Sequence, residues 1–189
     1  MDYLGEQGDT VARNEPYLRS GGNRELMRTV GAWASQFGEV LNVGCGGFMP
    51  LLVKTTHALD ITPVAERLLR KNGWTGPFTL GSVTELPFHA GQFEAGICCE
   101  VVEHLETPLH VEQAFYEMDR VCRAWLVSTP CVKTGEPTHR RVIEDGFVDW
   151  VMREFGASSV KMGLWWYIWK GGAPVGRPAA GLPEGCWHG

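Results

Sequence analysis

Val40-Leu41-Asn42-Val43 runs without a break into Gly44-Cys45-Gly46-Gly47. A short apolar strand that ends in glycines narrows the choice of folds sharply. Glycine takes the left-handed backbone of a tight turn and lets a ligand approach the main chain closely. Amides in such a loop can hold a carboxylate or phosphate. The same rhythm returns downstream. His57-Ala58-Leu59-Asp60-Ile61 reads as a second strand, ending on an acid, and Phe78-Thr79-Leu80-Gly81 as a third. Phe93 to Cys99, apolar apart from Glu94, reads as a buried fourth strand, and Ala124 to Ser128 as a fifth. Helical stripes lie around and between them. Leu26, Val30, Trp33 and Phe37 share one face behind a cap at Asn23, and Gly38 ends that helix. Thr62-Pro63 opens a helix over Val64 to Lys71. Pro108 to Cys122 carries Val111, Phe115, Met118 and Cys122 on one stripe, and Asp145 begins a helix through Phe155, closed by Gly156. Ser159 to Met162 and Trp165 to Trp169 read as two strands with Gly163 between them. Strands alternating with helices predict an α/β protein with a mostly parallel sheet, whose ligands bind beyond the carboxyl ends of its strands.

A chain of 189 residues is the size of one domain. The expected division is an N-terminal arm over 1–22, a domain over 23–170, and a Gly/Pro-rich C-terminal tail over 171–189. Eight tryptophans is a high number for this length. Trp150, Trp165, Trp166 and Trp169 lie in one short stretch, read as an aromatic core and strand face in preference to a wall for a planar substrate. The net charge of −5 gives no whole-chain attraction to phosphate backbones. Six cysteines without a C-x-x-C pair read as free, buried thiols. No apolar run is long enough to span a membrane, and no secretory signal is visible. A cytoplasmic protein is expected.

Asp60 adds to the glycine loop. Adjacent parallel strands set their ends side by side, so an acid there can accept hydrogen bonds from both hydroxyls of a ribose. A nicotinamide enzyme fits this much equally well. Met49, however, stands where the dinucleotide pattern needs a third glycine. Two later segments separate the readings: Gly81-Ser82-Val83-Thr84-Glu85-Leu86-Pro87-Phe88, and Phe93-Glu94-Ala95-Gly96-Ile97-Cys98-Cys99-Glu100-Val101-Val102-Glu103-His104-Leu105. In this order the motifs resemble those of the class I S-adenosylmethionine-dependent methyltransferases, in particular the ubiquinone-biosynthesis-like, type 11 group. The resemblance runs over residues 39 to 170.

That resemblance implies a Rossmann-like, mostly parallel seven-stranded sheet with helices on both faces and an antiparallel last strand. It implies S-adenosylmethionine as cofactor and S-adenosylhomocysteine as product. It places Asn42, Gly44, Cys45 and Gly46 along the methionine part of the cofactor, and Asp60 on the ribose with Ile61 beside the adenine. Ser82 and Val83 fall at the adenine edge, and Cys99 and Glu100 near the substrate mouth. Three positions depart from the family pattern: Asn42 replaces an acid, Phe48 a third loop glycine, and Ser82 an aspartate. Pro50 interrupts the helix that usually follows the loop, so a shortened or missing helix is expected there.

Either His104 or His139 has the chemistry of a general base near neutral pH. Each has an equally simple structural role, His104 orienting its own segment and His139 its loop. Cys131 lacks the companion motif that a cysteine nucleophile would need. Neither the pair His104 and His110 nor the pair Cys186 and His188 matches a familiar ligand spacing, so no metal site is expected. The expected acceptor is a small molecule. A macromolecular acceptor, RNA or protein, and a cofactor-binding protein without catalysis are the alternatives, the first favoured by Arg19, Arg140 and Arg141, the second by the three departures.

Overall fold

The computed structural model describes residues 24–173 and 175; the arm, the Asn23 cap and Arg19, and Cys186 and His188 in the tail lie outside the described residues. Helix α1 (Arg24–Ala34) leads into β1 (Val40–Val43), followed by the single-turn α2 (Met49–Leu52) and β2 (His57–Asp60). Next come α3 (Pro63–Lys71), β3 (Phe78–Leu80), β4 (Phe93–Cys99), a 3-10 turn (Val102–His104) and α4 (Pro108–Val121). The chain continues through β5 (Cys122–Pro130), α5 (Asp145–Phe155), β6 (Ser158–Met162) and β7 (Trp165–Lys170).

The seven strands form one sheet in the order β3-β2-β1-β4-β5-β7-β6. The first five pair in parallel, and β7 runs antiparallel to both β5 and β6. This is the expected sheet, with its last strand reversed. It reverses through Gly163, whose φ of 57° makes the hairpin turn between β6 and β7. Strand β5 is longer than its apolar stretch suggests because it is paired on both sides, Phe93 to Cys99 on one and Trp165 to Lys170 on the other.

Local chemistry sets the helix ends. Thr62 and Thr107 cap α3 and α4 by accepting the Val64 and His110 amides, each with proline in the following turn. Gly156 closes α5 in the left-handed conformation. Helix α2 survives as one turn because Pro50 lies in its first turn, where no amide donor is missed, and Val53 is already extended.

Both faces of the sheet are covered. On one, α4 and α5 bury Phe115, Met118, Val148 and Val151 against Val43, Cys98, Trp125 and Ile168. On the other, Leu26, Val30 and Trp33 of α1 pack with Val40, Ile97, Leu126 and Trp169. Much of the aromatic content is core: the Phe115 and Phe155 rings lie 5.6 and 5.9 Å from that of Trp125. The chain after β7 returns to α1. Trp33 Nε1 donates to the Gly171 carbonyl at 3.3 Å, the Ala173 amide donates to Gln36, and Val175 is buried in the α1-side core. Packing onto the domain thus continues past residue 170.

Candidate active site at the carboxyl edge of the sheet

The ends of β1 and β2 meet through the main chain. Gly44 and Gly46 take φ of 65° and 55°, so the loop turns back on itself. The Cys45 amide donates to the Leu59 carbonyl at 3.1 Å, and the Gly46 amide donates to Asp60 Oδ2 at 2.9 Å. Asp60 Oδ1 accepts the Thr62 amide at 3.0 Å. Burial raises the Asp60 carboxyl above its ordinary pKa, and the amides of Thr62, Gly46 and Ile61 offset part of that rise. A carboxylate offers about four acceptor positions, so two amides at hydrogen-bond distance leave room for hydroxyl donors.

A cradle remains on the loop. A Cβ built on Gly46 meets nothing within 4 Å, whereas one on Gly44 falls 2.3 Å from Val101 Cγ2. Asn42 is fully buried on β1, its Nδ2 donating to Thr55 Oγ1 at 3.2 Å while its Oδ1 has no partner. A buried acceptor left empty is costly, about 1–3 kcal/mol, and marks where a ligand's donor would be accepted. These features fit a cofactor that carries an ammonium group and a ribose.

The thiols beside that cradle are buried. Cys45 packs with Ala58, Ala65 and Leu69 under α3. Cys99 lies in the core beside α1, its thiol pushed up to about 12 by burial. Ile61 is half-buried beside Asp60. Beyond β3, Val83 is in the core, and the Ser82 hydroxyl is engaged with Thr84 Oγ1 at 2.8 Å.

A second group gathers beyond β4 and β5. Glu100 takes a left-handed φ of 58°, which a side chain rarely adopts. Its amide donates to the Ser128 carbonyl at 3.0 Å, and burial raises its carboxyl to about 7. The Trp165 indole lies beside it, short of hydrogen-bond geometry. Glu103 is fully buried. Its Oε2 accepts from Thr129 Oγ1 at 3.0 Å, while its Oε1 has no hydrogen-bond partner and faces His139 Nε2 at 3.9 Å. Burial, then the nearby charge of Glu100, holds the Glu103 carboxyl well above the usual range.

His104 bonds through Nδ1 to the Thr138 carbonyl at 3.1 Å. A carbonyl only accepts, so Nδ1 carries the proton and Nε2 keeps a lone pair. Burial, and next the neighbouring His139, lower His104 to about 4. His139 stands edge-on to it, ring centroids 4.7 Å apart, its Nδ1 2.7 Å from Thr134 Oγ1. Burial lowers its pKa as well. The loop that brings His139 here is pinned by the Arg140 and Arg141 amides, which both donate to the Glu103 carbonyl, and by Arg141 Nε on the Leu105 carbonyl at 2.9 Å.

Residues 41–124 match the family model described as a methyltransferase domain. That match spans the glycine loop, Asp60 and the motif after β4, the stretch that reads as a methyltransferase domain. Solved structures share the fold. An S-adenosylmethionine-dependent methyltransferase of Thermotoga maritima, reported as a possible histamine N-methyltransferase, superposes with a TM-score of 0.68 at 14% identity, over 90% of this chain and 98% of that one. The PH0226 protein of Pyrococcus horikoshii OT3 gives 0.63 at 17% identity, over 82% and 90%. Magnesium protoporphyrin IX methyltransferase of Synechocystis PCC 6803, solved with bound S-adenosylmethionine, gives 0.59 at 13% identity, over 78% of each chain. No curated protein matches the sequence. Among the described residues, no helix is long and apolar enough to cross a membrane.

The structure thus brings the expected residues into two groups. Asn42, Gly44, Cys45, Gly46, Asp60 and Ile61 meet at β1 and β2, and Glu100, His104 and His139 meet at β4 and β5. Cys45 and Cys99 both have buried thiols. Glu103 is not marked as a site residue by the sequence alone. Its one signal is its place beside His104 in the motif after β4, and nothing in the spacing shows that His139 will face it.

Proposed function

We propose that this chain is an S-adenosylmethionine-dependent methyltransferase acting on a small molecule whose reacting group sits beside Glu100, His104 and His139. The observation that carries the reading is what converges there: two carboxyls raised and two imidazoles lowered by burial, with the Arg141 guanidinium engaged on a main-chain carbonyl. Such a mouth offers a polyphosphate backbone little counter-charge and suits a compact polar group. A possible histamine methyltransferase and a magnesium protoporphyrin methyltransferase among the structural neighbours are consistent with an acceptor of that size.

In this reading Asp60 accepts the ribose hydroxyls, Ile61 and Val83 border the adenine, and Ser82 reaches its edge. Asn42 Oδ1 accepts the ammonium donor, and the amides of the Gly44–Gly46 loop lie under the methionine part. Bound S-adenosylmethionine supplies an electrophilic methyl on a sulfonium. The chain's part is to align the nucleophile and exclude water. If the nucleophile carries a proton, Glu100, whose buried carboxyl lies at about 7, is the group to take it, with His104 and His139 beside it.

The test is transfer of labelled methyl from S-adenosylmethionine into two fractions of a cell extract. Label in the low-molecular-mass filtrate is expected. Label confined to the protein and nucleic-acid fraction would contradict the small-molecule reading.

A further inference from the structure

We propose that Glu103, His104 and His139 form a binding site for a divalent metal ion at the acceptor mouth. Each offers one ligand atom, and these atoms all lie within 4.8 Å of one another. Carboxylate and imidazole together suit zinc, manganese, iron or cobalt in the divalent state.

The carboxylate argues for it first. Glu103 Oε1 belongs to a completely buried side chain and has no hydrogen-bond partner. His139 Nε2 is its nearest complement, but 3.9 Å is too long for a hydrogen bond. An ion between the two atoms would lie about 2 Å from each, the usual length of a metal bond to imidazole nitrogen or carboxylate oxygen.

The histidines are also prepared for it. A metal-bound histidine normally gives its other ring N–H to a carbonyl, a carboxylate or water, which fixes the free nitrogen as the ligand. His104 does this through Nδ1 and the Thr138 carbonyl, leaving Nε2 available. Thr134 Oγ1 holds His139 Nδ1 in the same manner, and Thr129 holds the second oxygen of Glu103. The loop carrying His139 is fixed to the other two ligands by main-chain bonds to the Glu103 carbonyl, so the three arrive together. Neutral imidazoles are the form that binds a metal.

Three protein ligands leave a coordination position for water or substrate. The site therefore deepens the small-molecule reading by favouring an acceptor that presents an oxygen to the ion. That consequence rests on the placement of the acceptor mouth; binding of the ion does not.

The test is calorimetric titration of the full chain with cobalt chloride, followed by its visible absorption spectrum. One ion per chain is expected, with no thiolate charge-transfer band. Glu103→Gln keeps the shape and an acceptor for Thr129, and His139→Ala removes one ligand. Each is expected to weaken binding at least tenfold, the lower end of what losing even an outer-shell partner costs. Unchanged binding of S-adenosylhomocysteine shows that each variant is folded. No cobalt binding by the parent chain, a thiolate band, or undiminished binding in both variants would overturn the site. Failure of the small-molecule reading would show separately, in the distribution of methyl label.

Discussion

Gly44 and Gly46 lie two residues apart and answer to different constraints. At Gly44 a Cβ would overlap Val101, and at Gly46 it would enter open space, although both have a left-handed backbone. Gly44→Ala should therefore destabilise the fold, and Val101→Ala in the same chain should restore part of the loss. Gly46→Ala should cost only the backbone strain, about 1–2 kcal/mol, yet abolish cofactor binding because its methyl fills the cradle. Thermal melts and S-adenosylhomocysteine titration of both variants check this. Equal loss of stability in the two would contradict the contrast. At this scale the loop proposed to hold the cofactor is legible in the sequence, because Gly44, Gly46 and Asp60 stand at the ends of apolar strands whose neighbours are fixed by the parallel sheet. The acceptor side is legible only in part. Glu103 and His104 are adjacent in a recognisable motif, but His139 reaches them through a loop whose path depends on main-chain bonds to Glu103 that no periodicity signals.

The elements are held in register by polar side chains in places that an apolar pattern does not mark. Glu94 is the one exposed position near the start of β4, and it accepts the amides of Gly38 and Glu39 at the entrance to β1. Those two amides, Gly38 first, hold its carboxyl below the ordinary glutamate range. A depressed pKa in the folded state contributes stability above the unfolded pKa, and the contribution is lost as pH falls through the folded one. Glu94→Gln should therefore melt below the parent at neutral pH, and the difference should shrink as the pH falls through the parent's depressed carboxyl pKa. Melts of the two proteins across that range decide it, and a difference independent of pH would count against the capping role. The break in the helix after the glycine loop is legible in the sequence from Pro50. That a full turn survives follows from where Pro50 falls within it, a matter of one residue.

Across the whole molecule, a mostly parallel sheet follows from alternation and the reversed last strand from the family resemblance, with which the Gly163 turn agrees; the strand order comes only from the structure. So does the return of the chain to α1, because residues 171–175 have no periodic pattern. Val175 nevertheless packs with Leu26, Val30 and Trp33 in one core. Val175→Ala removes two buried methyls' worth of contact and should lower stability by about 1.5 kcal/mol; an unchanged denaturation midpoint would show that this segment adds nothing to the fold. The fold as a whole converges on one edge, where the proposed cofactor cradle at β1 and β2 stands next to the carboxyl and imidazole cluster at β4 and β5. The most direct test of that convergence is calorimetric titration with S-adenosylmethionine and S-adenosylhomocysteine, with NAD as control and Asp60→Ala beside the parent. The expected result is one-to-one binding of the first two, no heat from NAD, and loss of binding in a variant that still melts cooperatively. Absence of binding to the folded parent, or binding by Asp60→Ala as tight as the parent's, would contradict this placement of the cofactor.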